Sequence, residues 1–217
     1  MKRILSYLFI PLFLLGCSAT SHESYSRYFD RQQVPLPTET NLPHCHNYGC
    51  QKVQIVELNE SEWAHIEKSF HPKAKTPEQE REQIREAISR FEKVVGKIAK
   101  TDEDVWGTFQ DMGLYQLDCV DESTNTTAYL IALNDRGKIN HHEVNAPSAR
   151  FLKNGLPGWP HQTAVIREIQ SGQRYAVDSW FRNNGYPPFV VAFEDWGKGW
   201  TPTDDMRPEI FNKDGDE

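Results

Sequence analysis

Three observations predict an α+β domain with its helices first and an antiparallel β-meander after them. Pro77 to Lys100 carries apolar residues at three- and four-residue steps: Ile84, Ala87/Ile88, Phe91, Val94/Val95 and Ile98. A second helix is expected from Cys119 to about Leu133. The last third then changes period. HQTAVIREIQ (His161–Gln170) and QRYAVDSWF (Gln173–Phe181) flank Ser171-Gly172 and read as a β-hairpin. Helical segments followed by strands, rather than alternating with them, indicate α+β and not a parallel α/β sheet.

The chain opens with Lys2 and Arg3 followed by the apolar run Ile4–Leu15, which contains Pro11. That run is short for a membrane span and reads as a sorting signal. Its end, Leu14-Leu15-Gly16-Cys17, resembles the lipobox of bacterial lipoproteins. The resemblance implies cleavage before Cys17 and lipidation of its thiol, and Ser18 implies delivery to the outer membrane, facing the periplasm. An ordinary secretory signal with an incidental cysteine is the alternative. The expected organisation is a signal over 1–16, a polar lipidated tether over 17–43, a domain over 44–206 and an acidic tail over 207–217.

The formal charge is −7 over 217 residues, and losing Lys2 and Arg3 makes it more negative still. An acidic domain has no electrostatic reason to bind nucleic acid or an anionic lipid surface, so the lipid anchor is the expected membrane attachment. With Cys17 modified, Cys45, Cys50 and Cys119 remain. Cys45 and Cys50 lie in HCHNYGC and read as a small disulfide loop in an oxidising compartment. The flanking His44 and His46 leave a metal site open as the alternative, and two free thiols as a third.

In the N-terminal half, Lys52–Leu58 is expected as a strand, and Asn59 with Glu62 as a capping box before a helix carrying Trp63, Ile66 and Phe70. Thr76, Pro77 and Gln79 mark the start of the long helix, whose charged face is expected in solvent. Asp118 is the expected N-cap of the second helix. Ile139–Val144 and FVVAFEDW (Phe189–Trp196) are further strands. His141 and His142 are adjacent in a strand, face opposite sides and are expected at the surface without a shared metal. Trp180, Trp196 and Trp200 are expected in the core or a groove wall.

Cys119 poses the chemical question. A thiol at a helix N-terminus meets the positive end of the dipole, which favours thiolate, the nucleophilic form. Nucleophilic catalysis also needs a base and a group that orients the base. His161 and Asp178 are the candidates. Pairing Gln170 with Gln173 puts both on one side of the hairpin but offset by four residues, roughly 13 Å along the strand. A bulge, a strong twist or a different turn is needed to bring them together. Cys119 as a buried core residue, and Asp178 paired with Arg174 or Arg182, are the structural alternatives.

Asp118-Cys119, then His161 with Ala164-Val165-Ile166 and Glu168, then Gly172 and Ala176-Val177-Asp178-Ser179 resemble the transglutaminase-like branch of the papain-like cysteine enzymes over about residues 105–200. Thr163 stands where family members often carry an aromatic. The resemblance implies a transglutaminase-like/papain-like core and a Cys119–His161–Asp178 triad acting on amide bonds, as peptidase, amidase or transglutaminase, without a cofactor or metal. Gln116 is the nearest candidate for the oxyanion donor beside the Cys119 N–H, with Gln110 and Trp106 behind it. Location suggests peptide or protein substrates of the cell envelope. A non-catalytic, lipid-anchored binding module on the same fold is the other reading.

Overall fold

The computed structural model describes residues 24–38, 40–109, 113–153 and 156–207. The sorting signal, Cys17, Gln110 and the tail beyond Arg207 lie outside the described residues. In chain order the elements are α1 (Tyr25–Arg31), β1 (Asn41–His46), β2 (Lys52–Glu57), α2 (Glu60–Glu67), α3 (Pro77–Ala99), α4 (Cys119–Asp135), β3 (His142–Lys153), β4 (Leu156–Glu168), β5 (Arg174–Asp178), β6 (Phe189–Ala192) and α5 (Phe193–Gly197). The fold is α+β, as expected. A β1–β2 hairpin stands apart from an antiparallel sheet in the order β3-β4-β5-β6. Among the described residues no helix is long and apolar enough to cross a membrane.

Helix α4 is the axis of the domain. Every residue from Asp121 to Leu133 is buried, because α4 is enclosed by β1, α3 and the β3–β4 face. The sequence STNTTAYLIAL suits that position, being small or apolar on all sides. Its hydroxyls are satisfied locally: Thr124 donates to Val120 O at 2.7 Å and Thr127 to Ser123 O at 2.7 Å. Leu130, Leu133 and Tyr129 meet Ile84, Ile88 and Phe91 of α3 in the main core. The Tyr129 and Phe91 rings stack at 4.6 Å.

Several expectations change on the structure. The polar N-terminal segment is a packed part of the domain from Ser24 on, not a tether: Tyr28 and Phe29 of α1 are buried. Tyr28 Oη meets Thr124 Oγ1 at 2.8 Å and accepts from Gln162 Nε2 at 2.7 Å. The charged face of α3 is not wholly solvated. Glu80 and Glu92 are buried, Glu80 accepting from the N–H groups of Asn140 and His141 at 2.8 Å each. His142 is buried rather than at the surface, with Nδ1 2.9 Å from Glu80. Arg207, expected in the loose tail, is buried with its guanidinium 4.3 Å over Trp106.

The strands also differ in extent. The strand expected over Ile139–Val144 begins at His142 and runs to Lys153, with register shifts between Asn145 and Ser148 and between Arg150 and Leu152. Pro147 falls inside the first irregularity, where a residue without an N–H breaks the ladder. FVVAFEDW is a strand only to Ala192 and then turns into α5.

Cys45 and Cys50 form a disulfide, with Cα atoms 4.6 Å apart. Residues 47–50 all have positive φ (70°, 65°, 66° and 57°), so only Gly49 adopts this left-handed run without cost. The run turns successive N–H groups toward one anion. Asp121 of α4 accepts from Tyr48 N at 2.7 Å and Cys50 N at 2.6 Å. One turn on, Asn125 pairs with both N and O of Cys45, at 2.6 and 2.9 Å. The metal alternative finds no thiolates here, since both sulfurs are bonded to each other. His44 bridges Tyr129 Oη at 3.1 Å and Thr101 Oγ1 at 3.0 Å, and burial pulls its pKa down to about 3.

Candidate active site

The first turn of α4 is built by a reciprocal cap. Asp118 accepts from Val120 N and Asp121 N at 2.9 Å each, and Asp121 accepts from Asp118 N at 3.3 Å. Asp104 fixes the approach to the helix by accepting from Leu117 N at 2.6 Å. Cys119 therefore occupies the first helical position, as the sequence predicts, and is partly buried. Its sulfur lies against the backbone N–H of Gln162, the residue after His161.

The electrostatics of this thiol run against expectation. Burial pushes its pKa up to about 12; the Gln162 N–H opposes the rise, and the Asp118 and Asp178 carboxylates add to it. Desolvation and two nearby negative charges outweigh a helix-dipole contribution of about 1 kcal/mol. With its pKa so high the thiol is protonated near neutral pH, and thiolate chemistry there would require a base to take its proton.

His161 lies on β4 directly opposite Arg150 of β3. Three aromatic rings hold the imidazole: Trp180, Phe181 and Trp196, at centroid separations of 4.7, 5.1 and 5.7 Å. His161 Nε2 is 2.8 Å from Asp178 Oδ2. An ionised carboxylate only accepts, so Nε2 carries the proton and donates. In the neutral imidazole Nδ1 is then the lone-pair nitrogen, and it is buried with no hydrogen-bond partner. Asp178 Oδ2 also accepts from the indole N–H of Trp196 at 2.7 Å.

The register explains how the pair meets. Ala164 pairs with Val177 and Arg167 with Arg174, so Asp178 falls opposite Thr163, two residues from His161 rather than four. The connection is longer than Ser171-Gly172. Glu168 and Gln173 are its last bonded pair, at 2.8 Å, and Ile169 to Gly172 form the loop, with Gly172 at φ 74°. A diagonal cross-strand pair on one face is within side-chain reach.

Gln116 is committed to its own loop. Its Oε1 accepts from Val105 N at 3.1 Å and its Nε2 donates to Glu103 O at 3.0 Å. The sequence expects Trp196 only in the core or a groove wall and leaves Arg150 unmarked. Trp196 reaches Asp178 only because the chain turns helical at Phe193, and Arg150 reaches the His161 neighbourhood through the irregular β3 register. Beside His161 opens a cavity of about 450 Å³, walled by Trp106, Phe109, Trp180 and Phe181 and flanked by Arg150 and Arg207. Cys119 is not among its lining residues.

Under α4 sits a set of buried acids. Glu92 is pushed up to about 7, chiefly by burial. Asp104 and Glu122 are raised as well, first by burial and then by mutual repulsion with Glu92, and they are hydrogen-bonded to each other. A carboxyl–carboxylate hydrogen bond requires that one of that pair hold a proton.

Compared with known proteins, the chain matches no family model, no curated protein and no solved structure.

Proposed function

We propose that this chain is a cysteine-dependent acyl-transfer enzyme of the transglutaminase-like kind, acting on amide bonds. The observation that carries the reading is the state of His161: one nitrogen is fixed to Asp178, and the other is a buried lone pair without a partner, one residue from the N–H that faces the Cys119 sulfur. In the proposed step His161 Nδ1 takes the Cys119 proton as the sulfur attacks the carbonyl carbon. The S–C bond forms and the carbonyl π pair moves to oxygen. When the C–N bond breaks, the imidazolium returns the proton to the leaving amine, and Asp178 stabilises the cation meanwhile. The thioacyl group then passes to water or to an amine. The Cys119 N–H is the proposed oxyanion donor. Anchoring through Cys17 at the outer membrane, with envelope peptides or proteins as substrates, belongs to the same proposal.

An activated ester tests it directly. p-Nitrophenyl acetate should leave an acetyl thioester on Cys119, identified on the peptide by mass spectrometry, and His161→Ala should slow its formation by about 10⁴-fold. No acylation of Cys119, or equal acylation in both proteins, rejects the enzyme reading. A second reading, a binding module that uses the groove alone, is favoured by the absence of Cys119 from the groove lining and by the raised thiol pKa. It predicts a folded protein whose Cys119 stays inert.

A further inference from the structure

We infer that the groove beside His161 is built for a carboxylate, and that Arg150 is its anchor. The inference rests on the acyl-transfer reading and names the substrate class: an amide whose acyl or amine portion carries a carboxylate next to an apolar or aromatic group. Arg150 is only 6% exposed. Its Nη1 donates to Trp196 O, and its guanidinium carbon lies 4.6 Å over the Trp196 ring. Nε is buried with no hydrogen-bond partner. Nη2 makes no bond to a described residue either, and Arg150 lines the cavity. A buried guanidinium with one neutral acceptor is costly unless an anion completes it.

The nearest anion does not complete it. Asp178 acts on Arg150 electrostatically, but its Oδ2 is taken by His161 and Trp196, its Oδ1 is buried without a hydrogen-bond partner, and it forms no ion pair with Arg150. Within a chain of net charge −7, the described residues of the groove lining include two arginines and no carboxylate. Arg207 is already stacked on Trp106 and paired with Asp204 at 3.2 Å, so it supplies field rather than the primary contact. A planar fork suits a carboxylate bidentately. Arg150 stands directly across the strand pair from His161, so an anion on it holds the neighbouring amide within reach of the imidazole. The aromatic walls favour an apolar group beside the charge.

The test does not depend on the thiol. Binding of 3-phenylpropionate and of its uncharged twin, 3-phenylpropionamide, is followed in the full chain by tryptophan fluorescence, since Trp106 and Trp180 line the groove. The acid should bind at least about tenfold more tightly than the amide. Arg150→Gln should abolish that preference and Arg150→Lys should keep part of it, with circular dichroism confirming that both fold. Acetyl-phenylalanine against an acetyl-glutamate α-anilide then separates a terminal carboxylate from a side-chain one. Equal binding of acid and amide to the native chain, or no binding of either, overturns the anchor. The ester experiment on Cys119 stands independently, so acylation without carboxylate preference removes this inference and leaves the enzyme reading intact.

Discussion

His161 and Asp178 stand on adjacent antiparallel strands, two residues out of direct register and on one face, with Nε2 and Oδ2 2.8 Å apart. Asp178 also receives the Trp196 indole N–H on the same oxygen. Both donors converge on one carboxylate oxygen. Asp178→Asn replaces one carboxylate oxygen with a donor, loosens the ring and removes the support for an imidazolium. Acylation of Cys119 by p-nitrophenyl acetate should fall by about 10³-fold with the fold retained. An unchanged rate would show that Asp178 is a structural partner of His161 only.

Trp196→Phe separates positioning from charge. It keeps a ring between His161 and Arg150 but deletes the indole N–H, leaving Asp178 with one donor. The acylation rate should fall by about tenfold, a smaller loss than for Asp178→Asn. An unchanged rate would assign Trp196 to packing.

These two residues mark where the sequence could be read and where it could not. The cap at Asp118, the start of α4 at Cys119 and the shared face of His161 and Asp178 follow from local chemistry and parity, and the structure has all three. The register between the two strands does not follow, because Ile169-Gln170-Ser171-Gly172 can close either as a two-residue or a four-residue loop, and only the tertiary packing of β5 decides. The break from strand to helix at Phe193, and the neutral state of Cys119, are also tertiary. The dipole that favours thiolate is visible in the sequence, whereas the burial and the two carboxylates that overcome it are assembled from distant segments. The charged face of α3 is expected in solvent, yet Glu80 and Glu92 are buried, for the same reason. Their partners, the N–H groups near residue 140 and at Gly185, are not neighbours in the chain.

The thiol itself should show the raised pKa. Iodoacetamide labelling of Cys119, read on its own peptide, should climb from pH 8 to 11 without a plateau, since burial places its pKa near 12. The folded state holds the proton more tightly than the unfolded one, so stability is full below about 9 and falls as pH rises above it. Cys119→Ala should remove that part of the alkaline decline. A plateau near pH 7 would instead mean a preformed thiolate.

The disulfide loop is held by α4 as much as by its own sulfurs. Asp121→Ala leaves the N–H groups of Tyr48, Cys50 and Asp118 without their acceptor. The expected loss is about 3 kcal/mol in urea unfolding. Reducing Cys45–Cys50 should cost about 2 kcal/mol for so short a loop. If the loop and helix act as one unit, the two losses combined should be less than their sum. Full additivity would mean that the loop docks independently of its cross-link.

Glu92 sets the last expectation. Its Oε2 accepts from Gly185 N at 2.8 Å, while its Oε1 is buried without a partner. Burial raises its pKa from 4.5 to about 7. A carboxyl whose folded pKa is raised contributes fully below its unfolded value, and that contribution is lost as pH climbs through about 7. Glu92→Gln keeps an acceptor for Gly185 and removes the charge that also repels Asp104 and Glu122. Urea unfolding should therefore find the variant more stable than the native chain at pH 8.5, by on the order of 2 kcal/mol, and nearly equal to it at pH 5. Destabilisation at both pH values would mean that the charged form of Glu92 is what the fold uses, with the protons of the cluster residing on Asp104 and Glu122 alone.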